Sequence, residues 1–96
     1  MLLMNLSQVK ILTLLLEGEL SLSEIAEYLG LSKEKVKRET NRLLKSELIE
    51  MKAVIGDEPI FSITRAGIDK LIVQYYLLKS IIKEMEEIIC STFECS

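Results

Sequence analysis

Apolar positions recur at helical spacing in four stretches of the chain, and each stretch opens with the same grammar. In the first, Leu6, Val9, Leu12, Leu15 and Leu16 step by three and four behind Asn5. Asn5 can cap this helix, Gln8 holds the reciprocal capping-box position, and Met4 can staple against Val9. Ser21 with Glu24, and Leu20 opposite Ile25, repeat the signal for a second helix. Ser32 with Leu31 and Val36 gives a third, and Thr64 with Ile63 and Ile68 a fourth. Gly18 closes the first helix, and Gly30 supplies the left-handed residue that a tight turn between the second and third requires.

Between the third and fourth helices the period changes from 3.6 to two. Ile49, Met51 and Ala53 alternate with Glu50 and Lys52, Gly56-Asp57 and Pro59 mark a turn, and Ile60 to Thr64 return with Phe61 and Ile63 inward. This predicts a short β-hairpin directly after the third helix. The fourth helix then runs on: Ile68, Leu71, Tyr75, Leu78, Ile82, Met85 and Ile89 step 3-4-3-4-3-4, the seam of a coiled coil. Ile72, Leu77, Ile81 and Ile88 widen that stripe beyond what so small a domain covers, so a second copy is expected on it. The fold class is mainly α with a small β-hairpin. Residues 1–64 are expected to form a helix-turn-helix domain with a wing, and 65–96 a dimerisation helix and tail.

Charge changes the picture in one place. The chain carries a formal net charge of −3, with 12 basic and 15 acidic residues. Lys33, Lys35, Lys37, Arg38, Arg42 and Lys45 nevertheless gather on the third helix against only Glu34 and Glu39. Val36, Thr40, Leu43 and Leu44 fall on one face. Arg38, Arg42 and Lys35 are expected to centre the other, with Glu34, Asn41 and Lys45 at its edge. An ordinary solvated face is the plain alternative. A helix-turn-helix with a basic second helix is the layout that puts a helix into the major groove of double-stranded DNA.

Other chemistry is sparse. No histidine, no glycine-rich phosphate loop and no nucleophile beside a base are present, so an enzyme, a metal site and a cofactor are not expected. The apolar start, MLLMNLSQVKILTLLL, lacks a basic segment and a small-residue cleavage site and is interrupted by polar residues. It is also shorter than the roughly 20 apolar residues of a membrane span. A soluble, cytoplasmic protein with no membrane partner is expected. Cys90 and Cys95 are the two cysteines, and two thiols are the plain reading for an intracellular chain.

The run LxxGELSLSEIAEYLGLSKEKVKRETNRLLKSELIE, followed by a hairpin and FSITRAGIDKL, resembles winged helix-turn-helix regulators of the MarR and ArsR type. The long last helix resembles the dimerisation helix of small archaeal winged-helix DNA-binding proteins, which also occur in archaeal viruses. That resemblance implies a homodimeric transcriptional regulator whose helix at about 32–46 enters the major groove. Ser32 and Lys33 would lie near the backbone, and Lys35, Lys37, Arg38, Asn41 and Arg42 near bases or phosphates. Lys52 is the basic candidate on the wing. Ile68, Leu71, Tyr75, Leu78, Ile82, Met85 and Ile89 would form the dimer interface. For a viral relative the compartment would be the host cytoplasm, and a bridge between subunits through Cys90 or Cys95 is implied by the same likeness. Two features depart from the pattern. The wing tip, Gly56-Asp57-Glu58-Pro59, is acidic, and Thr40 stands where a larger apolar residue is usual. A protein–protein interaction module and a non-specific architectural DNA-binding protein are the alternative functions. A small-molecule effector is left open, with Tyr28, Tyr75 and Tyr76 placed to line a gap or simply to fill core and interface.

Overall fold

The computed structural model describes residues 3–93. Its elements run α1 (Leu6–Leu15), β1 (Leu20–Ser21), α2 (Leu22–Leu29), α3 (Lys33–Lys45), β2 (Ile49–Ile55), β3 (Glu58–Ile63) and α4 (Arg65–Phe93). Each helix starts on the cap its sequence announces. The Asn5 side chain accepts from the Gln8 N–H (2.9 Å), Ser32 from the Lys35 N–H (3.2 Å) and Thr64 from the Gly67 N–H (3.0 Å). Ser21 and Glu24 close a reciprocal box at 3.1 and 3.0 Å. Gly30 takes φ 64°, and the Leu31 N–H then reaches the Ala26 carbonyl (3.0 Å), ending α2 as the turn requires. The end of α3 uses the same left-handed closure without a glycine. Glu47 adopts φ 59°, with the Leu48 N–H on the Leu43 carbonyl at 3.0 Å.

Three features differ from the sequence reading. Leu20 and Ser21 form a strand that pairs antiparallel with Phe61 and Ile60, giving the sheet order β1-β3-β2. Two residues are too few for a period to register. The hairpin turn is Gly56-Asp57 alone, both at positive φ (53° and 66°), the geometry of a two-residue turn between twisted strands. Pro59 is therefore inside β3, opposite Val54, beyond the reach of the short β1, whose pairing stops at Ile60. Finally, the inward alternation expected along β2 stops at Ile49. The ladder slips between Met51 and Ala53, which face Phe61 and Ile60, so Lys52 is the extra residue of a bulge and Met51 and Ala53 stand exposed.

Ile11, Leu12, Leu15, Ile25, Ala26, Val36, Leu43, Ile49, Phe61 and Leu71 form the core. Leu6 and Leu16 belong to the same helical series as Leu12 but lie on the outer face of α1 and its cap. Thr40 fills its core position with its hydroxyl turned back onto the Val36 carbonyl (2.8 Å), leaving no unmet polar group there. Met4 packs against this core, and its N–H donates to the buried Gln74 carboxamide at 2.7 Å.

The start of α4 is locked to the α3–β2 connection. Thr64 donates its N–H to the Leu48 carbonyl (3.1 Å) and its hydroxyl to the Glu47 carbonyl (2.7 Å). Gly67, one turn on, presses its bare Cα face onto that same Leu48 carbonyl. Gly67, Leu71 and Gln74 are buried, so the first turns of α4 belong to the body of the winged domain. From Lys79 to Phe93 every residue is exposed. At about 1.5 Å per residue α4 is about 44 Å long, and it accounts for most of the molecule's 55 Å long axis.

Candidate nucleic-acid interface

The basic face of α3 is set by what α3 buries. Val36, Glu39, Thr40 and Leu43 point inward. At 100° per residue the outward face is then centred on Glu34, Arg38, Asn41 and Lys45. This corrects the expectation that Lys35 and Arg42 share its centre: they flank it on the Glu39 side, while Lys37 flanks it beside the wing. The shift has two causes. Glu39, counted as part of the charged surface, is 4% exposed, and Leu44 is only half-buried. Spacing could have revealed it, because Glu39 lies three residues after Val36 and four before Leu43.

Burial of the Glu39 carboxylate is compensated at both oxygens. One accepts from the Asn5 carboxamide and the other from the Arg42 guanidinium, each at 2.9 Å. Asn5 thus caps α1 with its oxygen and ties α1 to α3 with its nitrogen. Arg42 remains 60% exposed at its side chain, so part of its guanidinium is still presented outward. Ser32 is exposed and its hydroxyl is used as the N-cap. Lys33, Lys35, Lys37, Arg38 and Asn41 are exposed together on the same helix.

The wing is a weaker candidate. Lys52 sits at the bulge with its ammonium 3.1 Å from Glu50, so its charge is partly neutralised at the surface. The two acids of the wing tip have local reasons to be there. Asp57 occupies a left-handed turn position that aspartate tolerates. Glu58 reaches across to accept the Ser23 N–H in the first turn of α2 (3.2 Å), where a carboxylate also complements the helix dipole. Beyond them Met51, Val54 and Ile55 are exposed apolar residues of the wing.

The seam residues on α4 divide into two groups. Leu71 is in the core and Ile68 and Leu78 are half-buried, whereas Tyr75, Ile82, Met85 and Ile89 are exposed. An apolar groove of about 620 Å³ runs between α1 and α4, lined by Val9, Leu16, Ile72, Tyr75 and Tyr76 among others. Tyr28 lies elsewhere, beside Leu14 and Gly18. Cys90 is exposed near the end of α4, and Cys95 lies outside the described residues. Among the described residues no cluster of acids and cysteines could hold a metal ion, and no helix is long and apolar enough to cross a membrane.

A helix-turn-helix followed by a two-stranded wing and closed by a third, short strand is a winged-helix fold. Residues 6–51 match the model of the family described as "Bacterial regulatory protein, arsR family". Solved structures give the same fold. A mutant of MarR from E. coli aligns at a TM-score of 0.78 with 15% identity, over 88% of this chain and 65% of that one. The transcriptional regulator BldR from Sulfolobus solfataricus aligns at 0.76 with 18% identity, over 84% and 60%. The apo form of a ZitR mutant from Lactococcus lactis aligns at 0.68 with 24% identity, over 85% and 64%. The chain thus spans roughly three fifths to two thirds of these proteins' length. No curated protein matches it by sequence.

Proposed function

We propose that the protein is a homodimeric, sequence-specific double-stranded-DNA-binding transcriptional regulator. The observation that carries this reading is the exposed face of α3. Six of the chain's 12 basic residues lie on that one 13-residue helix, in a protein that is otherwise acidic. α3 enters the major groove, with Arg38 and Asn41 at the centre of its face reading base edges. Lys33, Lys35, Lys37, Arg42 and the N-terminal turn at Ser32 hold phosphates and set the register. The wing contributes little charge, with Lys52 as its one basic group, so affinity comes from α3. The second copy is recruited through the exposed half of α4, which supplies the two-fold symmetry that half-site recognition needs. The match to a regulatory-protein family and the regulator named among the solved neighbours support this class over an enzyme.

Arg38→Ala tests the assignment. The side chain is exposed, so folding is expected to be unaffected. Affinity for a specific duplex is expected to fall about tenfold or more, from the roughly 1–3 kcal/mol that one bidentate contact supplies. An unchanged dissociation constant in a fluorescence-anisotropy titration would remove Arg38 from the interface. A second reading, a protein interaction module, is favoured by the exposed Met51, Val54 and Ile55 of the wing. It expects no DNA affinity from the wild type.

A further inference from the structure

We infer that the second copy lies antiparallel on α4, centred between Lys83 and Glu84, with Lys79 of each subunit opposite Glu86 of the other. The inference rests on the homodimer reading above and specifies its geometry. With Ile68, Tyr75, Ile82 and Ile89 at heptad position a and Leu71, Leu78 and Met85 at d, the flanking e positions beyond the winged body are Lys79, Glu86 and Phe93. The corresponding g positions are Ile81 and Ile88, and both are exposed in the isolated chain.

The two orientations use these flanks differently. Antiparallel helices pair a with d across the axis and place e against e and g against g. Layers of Ile82 on Met85 and Leu78 on Ile89 then bring Lys79 to Glu86 on one flank and Ile81 to Ile88 on the other. Both contacts occur twice by symmetry. Every wide-stripe isoleucine beyond the body finds an apolar partner, and the opposite charges meet. Parallel, in-register helices place g against e instead. That sets Ile81 beside Glu86, and it sets Lys79 beside Gln74, which is already buried with its carboxamide oxygen on the Met4 N–H. Lys79 is free to turn to a partner, its ammonium lying 5.9 Å from the Tyr75 ring on the exposed side of the helix. The wider charge order agrees: Lys79 and Lys83 precede Glu84, Glu86 and Glu87, so reversal of one helix matches a basic half to an acidic half.

Two consequences follow from the rise of about 1.5 Å per residue. The Leu71 levels of the two subunits lie about 38 Å apart along the helix pair, so the winged bodies occupy opposite ends. Two Cys90 residues lie about 20 Å apart, so the bridge between subunits that the sequence resemblance implied does not form between them within this dimer.

Oxidative cross-linking in the full chain, with Cys90→Ser and Cys95→Ser in every sample, tests the orientation. Leu78→Cys alone and Ile89→Cys alone are expected to give no linked dimer, whereas the two variants mixed and allowed to exchange subunits give one. Efficient self-linking of either single variant would overturn the antiparallel arrangement while leaving the dimer intact. A monomer by light scattering would overturn the dimer reading and this one with it. Charge reversal gives an independent check. Lys79→Glu is expected to weaken dimerisation about tenfold at low salt, and adding Glu86→Lys to restore it; no restoration would count against the pairing.

Discussion

Replacing Gly67 by alanine is expected to destabilise the protein by about 3 kcal/mol, the upper end for forced overpacking. On helix propensity alone the same change would stabilise by about 1 kcal/mol, because glycine is a poor helix former. Packing reverses the sign. A Cβ at Gly67 would collide with the Leu48 carbonyl oxygen and lie 2.7 Å from Ile63 Cγ1 and 3.0 Å from the Leu48 carbonyl carbon. That carbonyl cannot retreat cheaply, since it accepts the Thr64 N–H and follows the left-handed Glu47. For a domain of this size the loss corresponds to a fall in melting temperature of about 15 °C. Thermal unfolding followed by circular dichroism gives the answer; an equal or higher melting temperature would mean that α4 does not seat on the α3–β2 connection as described.

The second large effect is on assembly. Ile82→Glu is expected to convert the proposed dimer to an 11.0 kDa monomer at micromolar concentration. Ile82 is 52% exposed in the single chain and touches none of the core, so the winged domain should melt as before. At about 2 kcal/mol for each isoleucine removed from water, the two symmetry copies account for about 4 kcal/mol, or roughly a thousandfold in dissociation constant. Burying a carboxylate adds to that. Sedimentation or light scattering reads the mass directly. DNA affinity should fall with it, because one α3 then binds one half-site alone. A dimer that survives Ile82→Glu would place the interface elsewhere, and the apolar groove between α1 and α4 would be the first surface to examine.

What the sequence revealed was governed by locality. The four helix starts are set by side chains bonding to backbone within three residues, so Asn5, Ser21, Ser32 and Thr64 could be read directly. The basic composition of α3 was equally plain. Features that depend on distant partners were not. β1 exists only because Leu20 and Ser21 meet β3 forty residues later. The bulge at Lys52 becomes visible only when β2 is laid on β3, and it undoes the alternation that predicted Met51 and Ala53 as inward. Glu58 read only as part of an acidic wing tip, yet it bonds the first turn of α2. Glu39 illustrates the intermediate case. Its position on the core face follows from spacing, but its buried carboxylate makes sense only once Asn5 and Arg42 stand beside it. Gln74 is the converse: its carbonyl oxygen holds Met4, while its buried amide nitrogen meets no hydrogen-bond partner among the described residues.

The proposed function requires α3 to be a local basic DNA interface on an acidic protein. Binding of the wild-type chain to a set of genomic duplex fragments at 50 and 200 mM salt tests it most directly. Tight binding to a few fragments is expected, weakening by about a hundredfold or more between the two salts as several phosphate contacts exchange with counterions. No binding at 50 mM salt by a folded dimer would contradict it.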